Sequence, residues 1–185
     1  MKTVFSLGSN VGDSFAHLSD AVRLIAETPG IRDVVVSPVY VTAPVGGVKQ
    51  DDFLNVVVVA TSELPPPVLL ERAHVIEEVH DRERTIRNGP RTLDVDLIVV
   101  GTETIGTDDL TLPHPRAHER AFVLVPWFDV DPDAQLPGYG PIAPLVAAFD
   151  PGDLDEAVKP YPRQIDVPGV TNARRWDETH DEEDA

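Results

Sequence analysis

The chain has 185 residues, 42% of them hydrophobic, which suits one domain with a real core and is too short for two large ones. Its formal net charge of −17 argues against duplex nucleic acid or an anionic membrane surface as a partner. There is no cysteine, which excludes disulfides, a thiol nucleophile and a cysteine-based zinc site.

No stretch approaches the ~20 apolar residues of a membrane span, and the apolar start Met1–Leu7 is too short for a signal peptide. The expectation is a soluble cytoplasmic protein.

Residues 2–7 read as a first strand, and Gly8-Ser9-Asn10-Val11-Gly12-Asp13 is turn chemistry. Asp13 or Ser14 can cap a helix whose Phe15, Leu18, Ala21, Val22 and Ile25 fall on one face, with Pro29-Gly30 as its stop. Residues 31–41 are β-branched and read as one strand, followed by a long loop, Thr42 to Asp52, of the kind that carries function. The next strand is 53–62. Pro65-Pro66-Pro67 opens a second helix, with Val68, Leu69, Ala73, Ile76 and Val79 as its apolar face.

Four arginines follow, Arg82, Arg84, Arg87 and Arg91, then a strand opening on Asp94-Val95-Asp96, then a tight turn into a short strand at 104–106. The order β-α-β-β-α-β is the ferredoxin-like arrangement, an α+β fold with two helices on one face of an antiparallel sheet. Residues 111–149 add short elements around Arg116–Phe122 and Ile142–Phe149. These elements span 1–149. Residues 150–185 are rich in proline and acid and read as an extended or partly disordered appendage. Residues 151–185 hold ten acids against four bases, a net of −6, so much of the acidity lies away from the arginines.

Asp94 and Asp96 carry the sharpest chemical signal. On a strand, residues two apart share a face and lie ~7 Å apart, so both carboxylates point away from Leu93, Val95 and Leu97. Like charges so placed call for a cation or a partner. Paired carboxylates beside a guanidinium-rich loop suit a polyphosphate held with Mg²⁺, the acids taking the hard cation and the arginines forking onto phosphate oxygens. Alone, the D-x-D pair is also compatible with a plain polar strand face. The arginines beside it single it out.

No phosphate-cradling G-x-x-x-x-G-K-[ST] loop exists, and Gly8–Gly12 lacks the lysine, so it reads as a structural turn. Asn55 opens a strand that disfavours asparagine. Its amide suits either the edge of a heterocycle or local backbone. His114, between Pro113 and Pro115, is a phosphate contact or an ordinary loop residue. Arg120 is a phosphate contact or a solvated side chain. Phe122 stacks on a ring or belongs to the core. Glu77 and Glu78 read as surface acids.

Several blocks together resemble a known family: Leu7-Gly8-Ser9-Asn10, Thr42-Ala43-Pro44-Val45-Gly46, Phe53-Leu54-Asn55, Gly89-Pro90-Arg91-Thr92-Leu93-Asp94-Val95-Asp96, and Leu112-Pro113-His114-Pro115-Arg116 followed by Arg120-Ala121-Phe122. In order and spacing, over about residues 2–149, they resemble the 6-hydroxymethyl-7,8-dihydropterin pyrophosphokinases of folate biosynthesis. The resemblance implies transfer of diphosphate from ATP to the hydroxymethyl group of the pterin, leaving AMP. It implies two Mg²⁺ ions, brought with ATP and held by Asp94 and Asp96, with Arg82 and Arg91 as catalytic arginines. Around ATP it implies Glu77, Arg84, Arg87, Thr111, His114 and Arg120. Around the pterin it implies Thr42, Pro44, Val45, Phe53, Asn55 and Phe122. The expected form is a monomer with no nucleic-acid or membrane partner.

Three positions depart from the resemblance. Asn88 stands where many relatives have tryptophan, Asp81 where glycine is frequent, and His74 where some have glutamine. Two other readings stand beside the transferase. One is a metal-dependent phosphohydrolase sharing the D-x-D; the other is a ligand-binding regulatory module without chemistry.

Overall fold

The computed structural model of the chain describes residues 1–44, 49–80 and 89–175. In chain order it contains β1 (Lys2–Ser9), α1 (Ser14–Ala26), β2 (Ile31–Val36), β3 (Tyr40–Thr42), β4 (Phe53–Ser62), α2 (Pro66–Val79) and β5 (Asp94–Val100). There follow β6 (Ile105–Gly106), β7 (Thr111–Leu112), α3 (Ala121–Val130), β8 (Gln135–Leu136), β9 (Gly140–Pro141), α4 (Ile142–Ala147), α5 (Pro151–Ala157), β10 (Val158–Pro160) and β11 (Thr171–Asn172).

The Asp13 carboxylate caps α1 by accepting the Ala16 N–H at 3.0 Å. Proline opens α2, where a missing N–H costs nothing. The expected single strand at 31–41 is two strands. Pro38 interrupts it, and Ser37 bonds Val57 instead, donating its N–H to the Val57 carbonyl and accepting the Val57 N–H on Oγ, both at 2.9 Å.

The main sheet runs β10-β3-β4-β1-β5, with β2 also pairing β4 and β11 pairing β2. The α+β, ferredoxin-like core is present, with β1 antiparallel to both neighbours. Helices α1 and α2 cover one face, packing Leu18, Val22, Ile25, Leu69 and Ile76 against Phe5, Leu7, Val56, Val58, Val95 and Leu97. The other face is also covered. Val4, Val57, Val59 and Ile98 pack under α3 with Val123, Leu124 and the fully buried Trp127. Burial on both sides explains why Val56 to Val59 is an unbroken apolar run and not an alternating one.

Helix α3 extends well past the short Arg116–Phe122 helix expected from sequence, whose first part is a 3-10 turn at Ala117–Glu119. Pro126 inside α3 hid it, because a proline there removes one helical hydrogen bond. The expected apolar face of α2 is narrower than read: Val68 is half-buried, and Val79 is 62% exposed.

The larger correction concerns the C-terminal region. Residues 151–175 are not a loose appendage. Helix α5 leads into β10, which joins the sheet beside β3, and β11 pairs β2 in parallel. Ile165 and Val167 lie in the core under α1. Residues 176–185 lie outside the described residues.

Candidate active site

Gly8 of β1 stands opposite Asn55 of β4 on one side and Asp94 of β5 on the other. Directly opposed residues in antiparallel strands share a face. Phe53, Asn55, Gly8, Asp94 and Asp96 therefore form one surface, on the α3 side of the sheet. Asn55 is 4% exposed, and its Nδ2 donates to Thr42 Oγ1 at 2.6 Å. The asparagine thus sits buried beside a threonine hydroxyl and is not spent solely on local backbone. A Cβ added at Gly8 would lie 2.8 Å from Asn55 Oδ1 and 3.8 Å from the Phe53 ring.

Each aspartate has a guanidinium. Arg91 Nη1 donates to Asp94 Oδ2 at 2.5 Å, and Arg120 Nη1 to Asp96 Oδ2 at 3.1 Å. A protein cation thus stands against each of the two like charges. The same two arginines face aromatic rings: Arg91 lies 5.8 Å from the Phe53 centroid and Arg120 5.5 Å from that of Phe122. Phe122 is half-buried against the second core, so it serves packing as well as the site.

Arg91 is fixed from behind by Asn10. The Asn10 Oδ1 accepts the Arg91 N–H at 2.9 Å, and the Asn10 N–H donates to the Arg91 carbonyl at 3.1 Å. Asn10 Nδ2 also donates to Gln50 Oε1 and the Asp51 carbonyl, both at 2.9 Å. The turn read at Gly8–Gly12 starts later, since Gly8 and Ser9 belong to β1, and its buried Asn10 ties together two segments of the candidate site.

A groove of about 250 Å³ runs along the outer edge of β5, lined by His74, Glu77, Asp96, Asp109, Thr111, His114 and neighbouring apolar residues. Glu77 is 4% exposed, which corrects its reading as a surface acid. Its Oε1 accepts the Val95 N–H at 2.8 Å, satisfying a backbone donor on the sheet edge. His114 is held by its own N–H, which donates to the Ile98 carbonyl at 2.8 Å. Its Nδ1 accepts the Arg116 N–H at 3.2 Å, which leaves Nε2 facing Asp96 Oδ2 at 3.8 Å. Burial pushes the His114 imidazole below its ordinary pKa, against the pull of Asp96 and with Arg120 adding to the depression. Thr111 is exposed at the groove's rim, and Pro44 is half-buried beyond Thr42. Arg82, Arg84, Arg87 and Val45 lie outside the described residues, as do Asp81 and Asn88.

Residues 4–132 match the family model of 7,8-dihydro-6-hydroxymethylpterin-pyrophosphokinase. The chain belongs to this family. It is 44% identical over 167 residues to the 2-amino-4-hydroxy-6-hydroxymethyldihydropteridine pyrophosphokinase of Mycobacterium tuberculosis (strain CDC 1551 / Oshkosh), covering 83% of this chain and 87% of that protein. It is 42% identical over 125 residues to the Bacillus subtilis (strain 168) protein of the same name, covering 68% and 75%. Among solved structures, a Plasmodium falciparum HPPK-DHPS triple mutant with pteroate aligns with a TM-score of 0.64 at 15% identity, over 86% of this chain and 46% of that one. The wild-type protein with SDX-DHP gives 0.63 at 14% identity, over 86% and 47%. The chain thus spans less than half the length of those solved chains, and the likeness to them is one of fold.

ATP-dependent kinases such as these pyrophosphokinases generally need Mg²⁺. The donor set fits that ion: two carboxylates on one face, with no cluster of three or more His, Cys, Asp or Glu among the described residues. Mg²⁺ is typically bound by one or two carboxylates and completed by substrate phosphates and water, whereas an all-protein cage would be unusual for it. The sequence showed Gly8 and Asn10 only as members of the Leu7-Gly8-Ser9-Asn10 block; their place in the candidate site comes from register for Gly8 and from side-chain bonds for Asn10.

Proposed function

We propose that the surface formed by β1, β4 and β5 carries the family reaction, with the pterin at its Thr42–Asn55 end and ATP in the groove along β5. The reaction passes diphosphate from ATP to the hydroxymethyl group of 6-hydroxymethyl-7,8-dihydropterin, giving AMP and the pterin diphosphate, a step of folate biosynthesis. The observation that carries the placement is the register Asn55–Gly8–Asp94. It sets a heterocycle-reading amide and a metal-binding carboxylate on either side of a residue with no side chain, while Asp96 reaches the groove.

In this reading Asn55, Thr42, Phe53, Phe122, Pro44 and Val45 hold the pterin, the amide reading its edge and the rings packing on its faces. Asp94 and Asp96 would hold two Mg²⁺ ions brought with ATP, which would supply charge neutralisation along the phosphate chain. Arg91 and Arg120 now neutralise those carboxylates. Arg91 and Arg120 would contact phosphate oxygens of bound ATP, where planar guanidinium forks fit best. Glu77, Thr111 and His114 line the ATP groove. Arg82, Arg84 and Arg87 are carried over from the sequence as further phosphate contacts, with Arg82 alongside Arg91 in catalysis.

A primary hydroxyl attacks phosphorus, so no covalent nucleophile is required. Positioning and charge stabilisation supply the rate. The reading extends to a monomer acting in the cytoplasm, and no described helix is long and apolar enough to cross a membrane.

The test is incubation with Mg²⁺ and ATP, with and without the pterin. AMP should form only with the pterin. Hydrolysis of ATP at the same rate without it would favour a phosphohydrolase and overturn the proposal.

A further inference from the structure

Strand β3 has three residues and ends at Thr42, whose hydroxyl accepts the Asn55 amide. A strand this short, paired on one side only, would fray at its end. It is paired on both sides. Opposite β4 stands β10, with Val158 facing Thr42, Lys159 facing Val41 and Pro160 facing Tyr40. Opposed residues share a face with Cβ atoms ~5 Å apart. The Val158 side chain, 7% exposed, therefore stands against Thr42 on the face that carries Asn55.

The segment that delivers Val158 is itself well anchored. The Tyr161 N–H donates to the Val39 carbonyl at 2.9 Å, and the Ala173 N–H to that of Val36 at 2.9 Å. Between them Ile165 is fully buried, and the Arg163 guanidinium lies 3.7 Å from the centroid of Phe15. All of this lies beyond residue 132, where the family match ends.

We propose that Val158, delivered by this 158–173 strap, is a positioning residue for pterin recognition: it holds Thr42, and through Thr42 the Asn55 amide, in the binding geometry before substrate arrives. The inference rests on the reading of Asn55 as a pterin contact. The physical gain is preorganisation. A clamped threonine has no freedom left to lose on binding, whereas an unclamped one must be ordered at the expense of affinity. The effect is confined to the pterin end, because β10 touches neither β5 nor its groove.

The experiment uses full-length enzyme and measures the KM of each substrate, kcat and the pterin Kd. V158A should raise the pterin KM and Kd about five-fold, with the ATP KM and kcat within about two-fold of wild type, the size expected of one loosened packing contact. V158I, which keeps an apolar β-branched side chain against Thr42, should stay within about two-fold of wild-type values. R163A loosens the strap from its exposed side without emptying the core, and should move the pterin KM in the same direction by a smaller factor. N55A serves as reference. Wild-type pterin KM in both V158A and R163A, alongside a raised one in N55A, would overturn the proposal. Equal rises in both substrates' KM for V158A would overturn it too, by showing general loosening. An unchanged pterin KM in N55A would strike at the reading of Asn55, and this inference would fall with it.

Discussion

Replacing Gly8 by alanine is the sharpest perturbation of the proposed site that leaves its charges untouched. The backbone at Gly8 lies outside the left-handed region, so alanine meets no conformational penalty there. The whole effect is the contact of the new methyl with Asn55 Oδ1 at 2.8 Å, closer than real Cβ contacts allow. Asn55 is buried and bonded to Thr42, so its retreat breaks that bond or shifts the strand. Overpacking of this kind costs about 1–3 kcal/mol. Displacing a buried amide from its partner costs about 1–3 kcal/mol, which corresponds to roughly five-fold to a hundred-fold in affinity. Steady-state kinetics on G8A should show a pterin KM raised by such a factor, with the ATP KM much less affected. A G8A enzyme with wild-type pterin KM would refute the placement of the pterin against Asn55.

Other outcomes follow from the same geometry. Arg120→Ala leaves Asp96 without its guanidinium and the phosphates without a fork, and should lower kcat/KM about 10²-fold or more with little change in Tm, as for loss of one preorganised charge donor. Glu77→Ala orphans the Val95 N–H on the sheet edge, a loss of about 2 kcal/mol and so about 4–8 °C in Tm for a chain this long. Glu77→Gln keeps an acceptor and should recover most of that loss in a thermal melt. Removing Mg²⁺ with EDTA should stop AMP formation completely and leave the circular dichroism spectrum unchanged, since Arg91 and Arg120 pair with Asp94 and Asp96.

Much of the fold was legible because its signals are local. The proline start of α2, the Asp13 cap and the valine run of β4 each fix an element from a few adjacent residues. The D-x-D face was legible because a strand's period of two leaves no freedom about where Asp94 and Asp96 point once Val95 and Leu97 are buried. Hidden features depended on contacts distant in sequence. Strands β10 and β11, of three and two residues, are too short to carry any periodicity and exist because β3 and β2 offer edges to pair with. Helix α3 was masked by Pro126 and is held by its burial on the sheet. By residue pattern Glu77 looked like any helix-surface acid, and only the resemblance set it near ATP; its bond to the Val95 N–H is what gives its carboxylate a reason to be inside. Gly8 belonged to a turn motif by eye. Its role follows from standing between Asn55 and Asp94.

The paired carboxylates are the centre of the account, and AMP formation by D96A at saturating Mg²⁺, ATP and pterin tests them most directly. The expected result is a folded protein, with a melting temperature near that of wild type, and no detectable AMP above the uncatalysed background. A folded D96A that forms AMP at close to the wild-type rate would contradict the account.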